Sequence, residues 1–164
     1  MYKEIYGDLI KLSLNKQFDV IVHGCNCMSI MKAGIALQMS KTFNTNKYKQ
    51  ELIGPDINKL GNIEYENFAI INQTFFNINY GETNLHGDEF ILSVVNAYTQ
   101  IKPGKFLDIE ALKLCLRKIN ILFEGKHIGL PQIGCGIAGG DWQIVKKIIK
   151  TELKNCKVSI VIYN

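Results

Sequence analysis

Three glycines set the first chemical question. In the stretch LPQIGCGIAGGDWQIVKKIIK, residues 130–150, Gly134, Gly136 and Gly139 stand at G-x-G-x-x-G spacing between a strand-like run and a helix-like run. That pattern is the dinucleotide-binding fingerprint: glycines let backbone N–H groups turn toward a phosphate, and the helix behind them adds its positive end. Its usual surroundings are missing. The fingerprint ordinarily follows the first strand of a fold, with more strand–helix units after it and an acidic residue about 20 positions on for a ribose. Here one helix and one strand remain before Asn164, and no Asp or Glu ends that strand. What persists is a loop able to cradle an anion or, on the plainer reading, glycines that make a tight connection.

A phosphate needs donors on more than one side, and HGCNCMSIMKAGIALQM, residues 23–39, offers the second wall. It runs from the end of an apolar strand through a loop into a helix with Gly34 at its start, where unpaired N–H groups favour an anion. Around these loops stand few groups that can react. His23 ends the strand, and a histidine titrates near neutrality; the plain alternative is a histidine satisfied by backbone. Asp141 can orient a histidine or a water, and it is equally a favoured helix N-cap. Cys25 and Cys27 form a C-x-C pair that Cys135 could approach, yet the spacing and the lack of a second histidine do not meet a structural zinc. No metal and no cofactor is expected. Lys32 can supply charge to a phosphate, Tyr98 and Gln100 flank the site, Trp142 packs in the core, and His86, Asp88 and Glu89 lie in a polar excursion over 77–89.

The elements that must position these groups alternate. YKEIYGD reads as a strand, with a short second strand around Leu9 to Leu12, and FDVIVHGCN as a strand buried on both faces. GIALQMSKTF has helical spacing, and NKYKQELI adds a short helix before Gly54-Pro55. Residues 62–97 read as three strands with a hairpin about Glu66-Asn67. FLDIEALKLCLRKINILFEG is an amphipathic helix closed by Gly125, followed by the strand KHIGLPQI, the glycine loop, the helix DWQIVKKIIKTELK and the strand KVSIVIYN. This predicts one α/β domain over 1–164, a three-layer α/β/α arrangement on a mixed, mostly parallel sheet.

Composition narrows the partners. The 164 residues are 47% hydrophobic and 21% charged with a net charge of +4, ordinary for a globular domain. The lysines are scattered, so no basic groove for nucleic acid is expected. No segment reads as a signal peptide or membrane span. Five cysteines without framework spacing read as free thiols in a reducing, cytoplasmic setting. A monomer acting on a small anionic molecule is the expected form.

Taken in order, GDL, VHGCNCMSIMKAGIA, VVNAYTQ, LPQIGCGIAGGDW and the final IVIYN resemble the macrodomain family of ADP-ribose-binding modules, over nearly the whole chain. The likeness is to phage- and yeast-type members that act as ADP-ribose 1''-phosphate phosphatases. The resemblance implies ADP-ribose or ADP-ribose 1''-phosphate as ligand. It places Asp8 at the adenine amino group, the Leu9 backbone at the purine ring and Tyr163 or Asn164 against the adenine. Asn26 would face the distal ribose, and Gly34, Ile35 and Ala36 would hold one side of the pyrophosphate. Gly134, Cys135, Gly136, Ile137 and Ala138 would wrap the other side and the distal ribose. It makes His23 the nucleophile or acid–base group for the 1''-phosphate, which the Asp141 carboxylate could orient. Relatives that cleave ADP-ribose from glutamate carry a lysine near Gln100 and an aspartate near Ala138; this chain has neither, nor their run of consecutive glycines before Gly34. The alternatives are a module that holds ADP-ribose or another NAD-derived signal without turnover, such as a host defence nucleotide in a phage setting, and removal of ADP-ribose from a macromolecule.

Overall fold

Two apolar strands, β2 (Val20–Asn26) and β5 (Phe90–Gln100), lie side by side in parallel register and are buried along most of their length. The computed structural model describes residues 1–46, 53–78 and 89–163. The other elements are β1 (Tyr2–Tyr6), α1 (Leu9–Leu14), α2 (Gly34–Phe43), β3 (Ile63–Ile71), β4 (Thr74–Asn77), α3 (Ile109–Leu122), β6 (His127–Leu130), α4 (Trp142–Glu152) and β7 (Lys157–Ile162). A 3₁₀ turn at Ile57–Lys59 precedes β3. The seven strands are ordered β1-β7-β6-β2-β5-β3-β4. All pairs from β1 to β5 are parallel, and β3 and β4 are antiparallel additions. The expected mixed, mostly parallel sheet is the one observed.

Alternation along the strands divides the core in two. Val20, Val22, Val95 and Ala97 face α3 and α4, packing on Leu112, Leu116, Val145 and Ile149. Ile21, Leu92 and Val94 face the other way, onto Leu9 and Ile10 of α1 and Met39 and Phe43 of α2. Helices therefore cover both faces, giving the three layers. Among the described residues no helix is long and apolar enough to cross a membrane.

Two expectations about local structure are corrected. Residues 9–12 are helical, not a strand: the Asp8 carboxylate accepts the N–H groups of Ile10 and Lys11 and caps a short helix. The hairpin turns at Asn72-Gln73, both at positive φ (48° and 63°), and not at Glu66-Asn67. Asn67 sits inside β3, where its carbonyl oxygen accepts the Ser93 hydroxyl at 2.7 Å. The helix expected in NKYKQELI falls largely outside the described residues, as do His86 and Asp88.

Aspartates cap three of the four α-helices among the described residues: Asp8 at α1, Asp108 at α3 and Asp141 at α4. Asp108 also ties α3 to the sheet, because its N–H donates to Thr99 O. Asp108→Ala is expected to lower stability by about 1 kcal/mol, read as a shift of the urea midpoint at constant slope.

Candidate ligand crevice

β2 and β6 are parallel neighbours, paired at Val20–Ile128 and Ile21–Gly129. Beyond those pairs their chains part. β2 leads into α2 on one face of the sheet, and β6 leads into α4 on the other. Loops leaving adjacent strands toward opposite faces open a crevice at the strand carboxyl ends, the usual ligand position in such sheets. The two walls start close together: a Cβ added to Gly24 of β2 would lie 3.3 Å from Ile133, just before the glycine loop.

The first wall is the start of α2. Its N-cap is Ala33, which makes no side-chain capping bond, and Gly34 sits at φ 56° with nothing among the described residues near its Cβ position. Glycine is needed there for the left-handed backbone and not for want of room. The first helical N–H to find a helix acceptor is Leu37, on Ala33 O at 3.2 Å. The N–H groups of Gly34, Ile35 and Ala36 have no acceptor among the described residues, at the positive end of the helix dipole.

The second wall is the glycine loop. Cys135 N–H donates to Gln132 O, Gly139 N–H to Gly136 O, and Gly140 N–H to Gly134 O. The neighbouring β5–α3 connection braces it, with Leu107 N–H donating to Ala138 O at 3.2 Å. The three consecutive N–H groups of Gly136, Ile137 and Ala138 meet no acceptor among the described residues. Ile137 is 60% exposed. Each wall thus presents three successive uncompensated amide donors, which is what an anion-binding concavity requires.

No family model matches the chain. An uncharacterized 17.5 kDa protein from the tk-vs intergenic region of Enterobacteria phage T4 is 30% identical over 168 residues, spanning 97% of this chain and 94% of its own. Among solved structures, the macrodomain of Thermus aquaticus DarG superimposes with a TM-score of 0.63 at 21% identity, covering 100% of this chain and 98% of its own. A macrodomain protein from Streptomyces coelicolor gives 0.64 at 18%, covering 100% and 99%. Thermosipho africanus DarTG in complex with ADP-ribose gives 0.68 at 17%, covering 98% of this chain and 41% of that one. This chain has the macrodomain fold and shares a family with the phage T4 protein.

The remaining expected site residues of this macrodomain fall into two groups. Asp8 and Tyr163 lie at the sheet end beside β1 and β7, with Tyr163 72% exposed. Both capping bonds of Asp8 use Oδ1. Leu9 turns its side chain into the core, which leaves only its backbone for a ligand. Asn164 is outside the described residues. Tyr6, 70% exposed, is paired in register with Ile162 and so stands at the same sheet end as Tyr163. Sequence reasoning missed it, since only the pairing of the first strand with the last brings it there.

The second group has internal duties. Asn26 is buried, and its Oδ1 accepts the N–H groups of Met28 and Ile30 while Nδ2 donates to Ile30 O at 2.8 Å, so it shapes the loop it was expected to lend to a ribose. Cys135 is half-buried, its thiol pushed up to about 11 by burial and then by Asp141. Asp141 is exposed and caps α4 through Oδ1 to Gln143 N–H at 2.7 Å. Tyr98 is buried, donates to Glu64 beside Lys59, and supports the β2–α2 loop from below. Gln100 donates to Lys102 O at 2.8 Å, shaping the β5–α3 connection. Trp142 packs against the α3–α4 core, as expected.

His23 is shut off from solvent. It is 0% exposed, and its Nε2 lies 2.7 Å from Asn96 Oδ1, on the face toward α1 and α2. Burial holds its pKa down at about 4, against the opposing pull of the Asn96 hydrogen bond. A group that attacks phosphorus or shuttles its proton must reach the substrate, and this ring is walled off. The Cys25 thiol beside it is pushed well up by burial, and Cys27 is raised to about 11. Neither is a ready nucleophile or metal ligand.

Proposed function

We propose that the crevice binds ADP-ribose, its pyrophosphate held between the amides of Gly34, Ile35 and Ala36 and those of Gly136, Ile137 and Ala138. The adenine lies toward Asp8, Leu9 and Tyr163, and the distal ribose toward Asn26 and the loop from Gly134 to Ala138. The observation that carries this reading is the two sets of three amide donors, one on each loop. A diphosphate offers oxygens to both sides, whereas a single phosphate fills one. The fold it shares with a protein solved in complex with ADP-ribose supports the same ligand.

Calorimetry tests it directly. ADP-ribose is expected to bind at least tenfold tighter than AMP, which lacks the second phosphate and the distal ribose. Equal affinity for the two would sink the reading.

One observation favours catalysis as a second reading. Asp141 is an exposed carboxylate at the end of the loop, a group able to activate a water on a 1''-phosphate. Asn caps a helix as well as Asp does, so Asp141→Asn removes the base and keeps the helix. If the protein hydrolyses ADP-ribose 1''-phosphate through Asp141, phosphate release falls about 100-fold in this variant while ADP-ribose affinity stays. No release from the unaltered protein leaves a module that sequesters its ligand.

A further inference from the structure

His23 sits at the centre of a chain of polar contacts that ends on α2. His23 and Asn96 are cross-strand partners of β2 and β5. Asn96 Nδ2 donates to the backbone oxygen of Thr45 at 2.8 Å. A carbonyl only accepts, so the Asn96 amide is oriented with its oxygen toward His23, and His23 must donate from Nε2. The Cys25 sulfur lies against the ring, 3.8 Å from both of its nitrogens.

Thr45 lies just past the C-terminal end of α2, after Asn44 at φ 54°. Its hydroxyl donates to Met31 Sδ at 3.2 Å, and Met31 lies three residues before the helix begins. Both ends of α2 are therefore tied at Thr45, and Thr45 is tied through Asn96 to His23.

We propose that His23 is a positioning residue: through Asn96 and Thr45 it fixes where α2 presents the amides of Gly34, Ile35 and Ala36. The proposal rests on the ADP-ribose reading. It assigns the buried imidazole a role in affinity, transmitted through a helix, in place of contact with the reacting phosphate. A catalytic histidine acts on turnover and needs Asn96 only for orientation. A positioning one shares a single effect on binding with Asn96.

The test is a cycle on the intact chain, with ADP-ribose affinity read by calorimetry and α2 amide exchange read by NMR. His23→Ala and Asn96→Ala are each expected to weaken ADP-ribose about tenfold. The double variant should be no worse than the weaker single, since the two groups act as one unit. His23→Gln, which restores a neutral donor to Asn96, should return affinity to within about threefold. Asn96→Ala and His23→Gln carry the test even if His23→Ala does not fold. Unchanged affinity in Asn96→Ala, additive losses, or normal ADP-ribose affinity in His23→Ala alongside lost phosphate release would each overturn it. Exchange separates the two readings. In Asn96→Ala the α2 amides should exchange about tenfold faster with α3 unchanged, whether or not ADP-ribose proves to be the ligand. Unaltered α2 exchange defeats the proposal on its own.

Discussion

Gly140→Ala is expected to cost about 3 kcal/mol of stability, while Gly136→Ala, four residues earlier, leaves stability intact and costs affinity. The two glycines have different neighbours. A Cβ on Gly140 would lie 2.8 Å from the backbone oxygen of Gly134 and closer still to the Leu107 side chain. Leu107 is wedged in the loop: a Cβ on Gly134, at φ 73°, would also meet it, at 2.7 Å. The backbone oxygen cannot yield without breaking the Gly140 N–H to Gly134 O bond of 2.8 Å that closes the loop. Among the described residues, Gly136 has no heavy atom within 4 Å of its Cβ position, and its φ is not positive. Nothing among the described residues requires glycine there, so alanine should fold equally well, with a small gain from a stiffer unfolded chain. Only a ligand lying against the backbone would feel the methyl group. Urea melts should show a lowered midpoint for Gly140→Ala and an unchanged one for Gly136→Ala. Calorimetry should show ADP-ribose weakened at least tenfold in Gly136→Ala, and native affinity there would remove this loop from the ligand site.

Acid should unfold the protein in a window set by His23. In the unfolded chain an exposed imidazole takes up its proton near pH 6.5, whereas in the folded protein burial defers it to about 4. Between those values the unfolded state binds more protons, so stability is full above about pH 6.5 and falls as pH drops toward 4. The loss across that window is about 3 kcal/mol. His127, half-buried and lowered for the same reason, adds in the same direction. Comparing the native protein with His23→Gln isolates the first contribution: the variant should lose much less stability between pH 7.5 and 4.5. Parallel declines in the two proteins would mean that His23 is already open to protons at neutral pH.

The periodic elements were legible because burial imposes their pattern. The runs at Val20–Asn26, Gly34–Phe43 and Ile109–Leu122 match strand and helix spacing closely. Capping was harder to see. The resemblance points Asp8 at a ligand, whereas in the fold it starts α1, and the short run behind it reads as extended by sequence alone. The two crevice walls were visible as glycine-bearing loops after strands, but the cause of each glycine was not. Leu107 accounts for Gly134 and Gly140, and it comes from a connection nearly thirty residues earlier. The fate of His23 was hidden for a related reason. Strand alternation places it on one face of the sheet, and only the partner across the ladder, Asn96, shows that this face is closed there.

The uncapped start of α2 also makes the protein's own melting a gauge of occupancy. A phosphate seated on Gly34, Ile35 and Ala36 would do for α2 what Asp8, Asp108 and Asp141 do for the other helices. Ligand at a hundred times its dissociation constant raises folding stability by about 2.7 kcal/mol. Here that linkage would run through a helix whose end is completed only in the bound state. A protein built this way keeps part of its fold conditional on the molecule it holds.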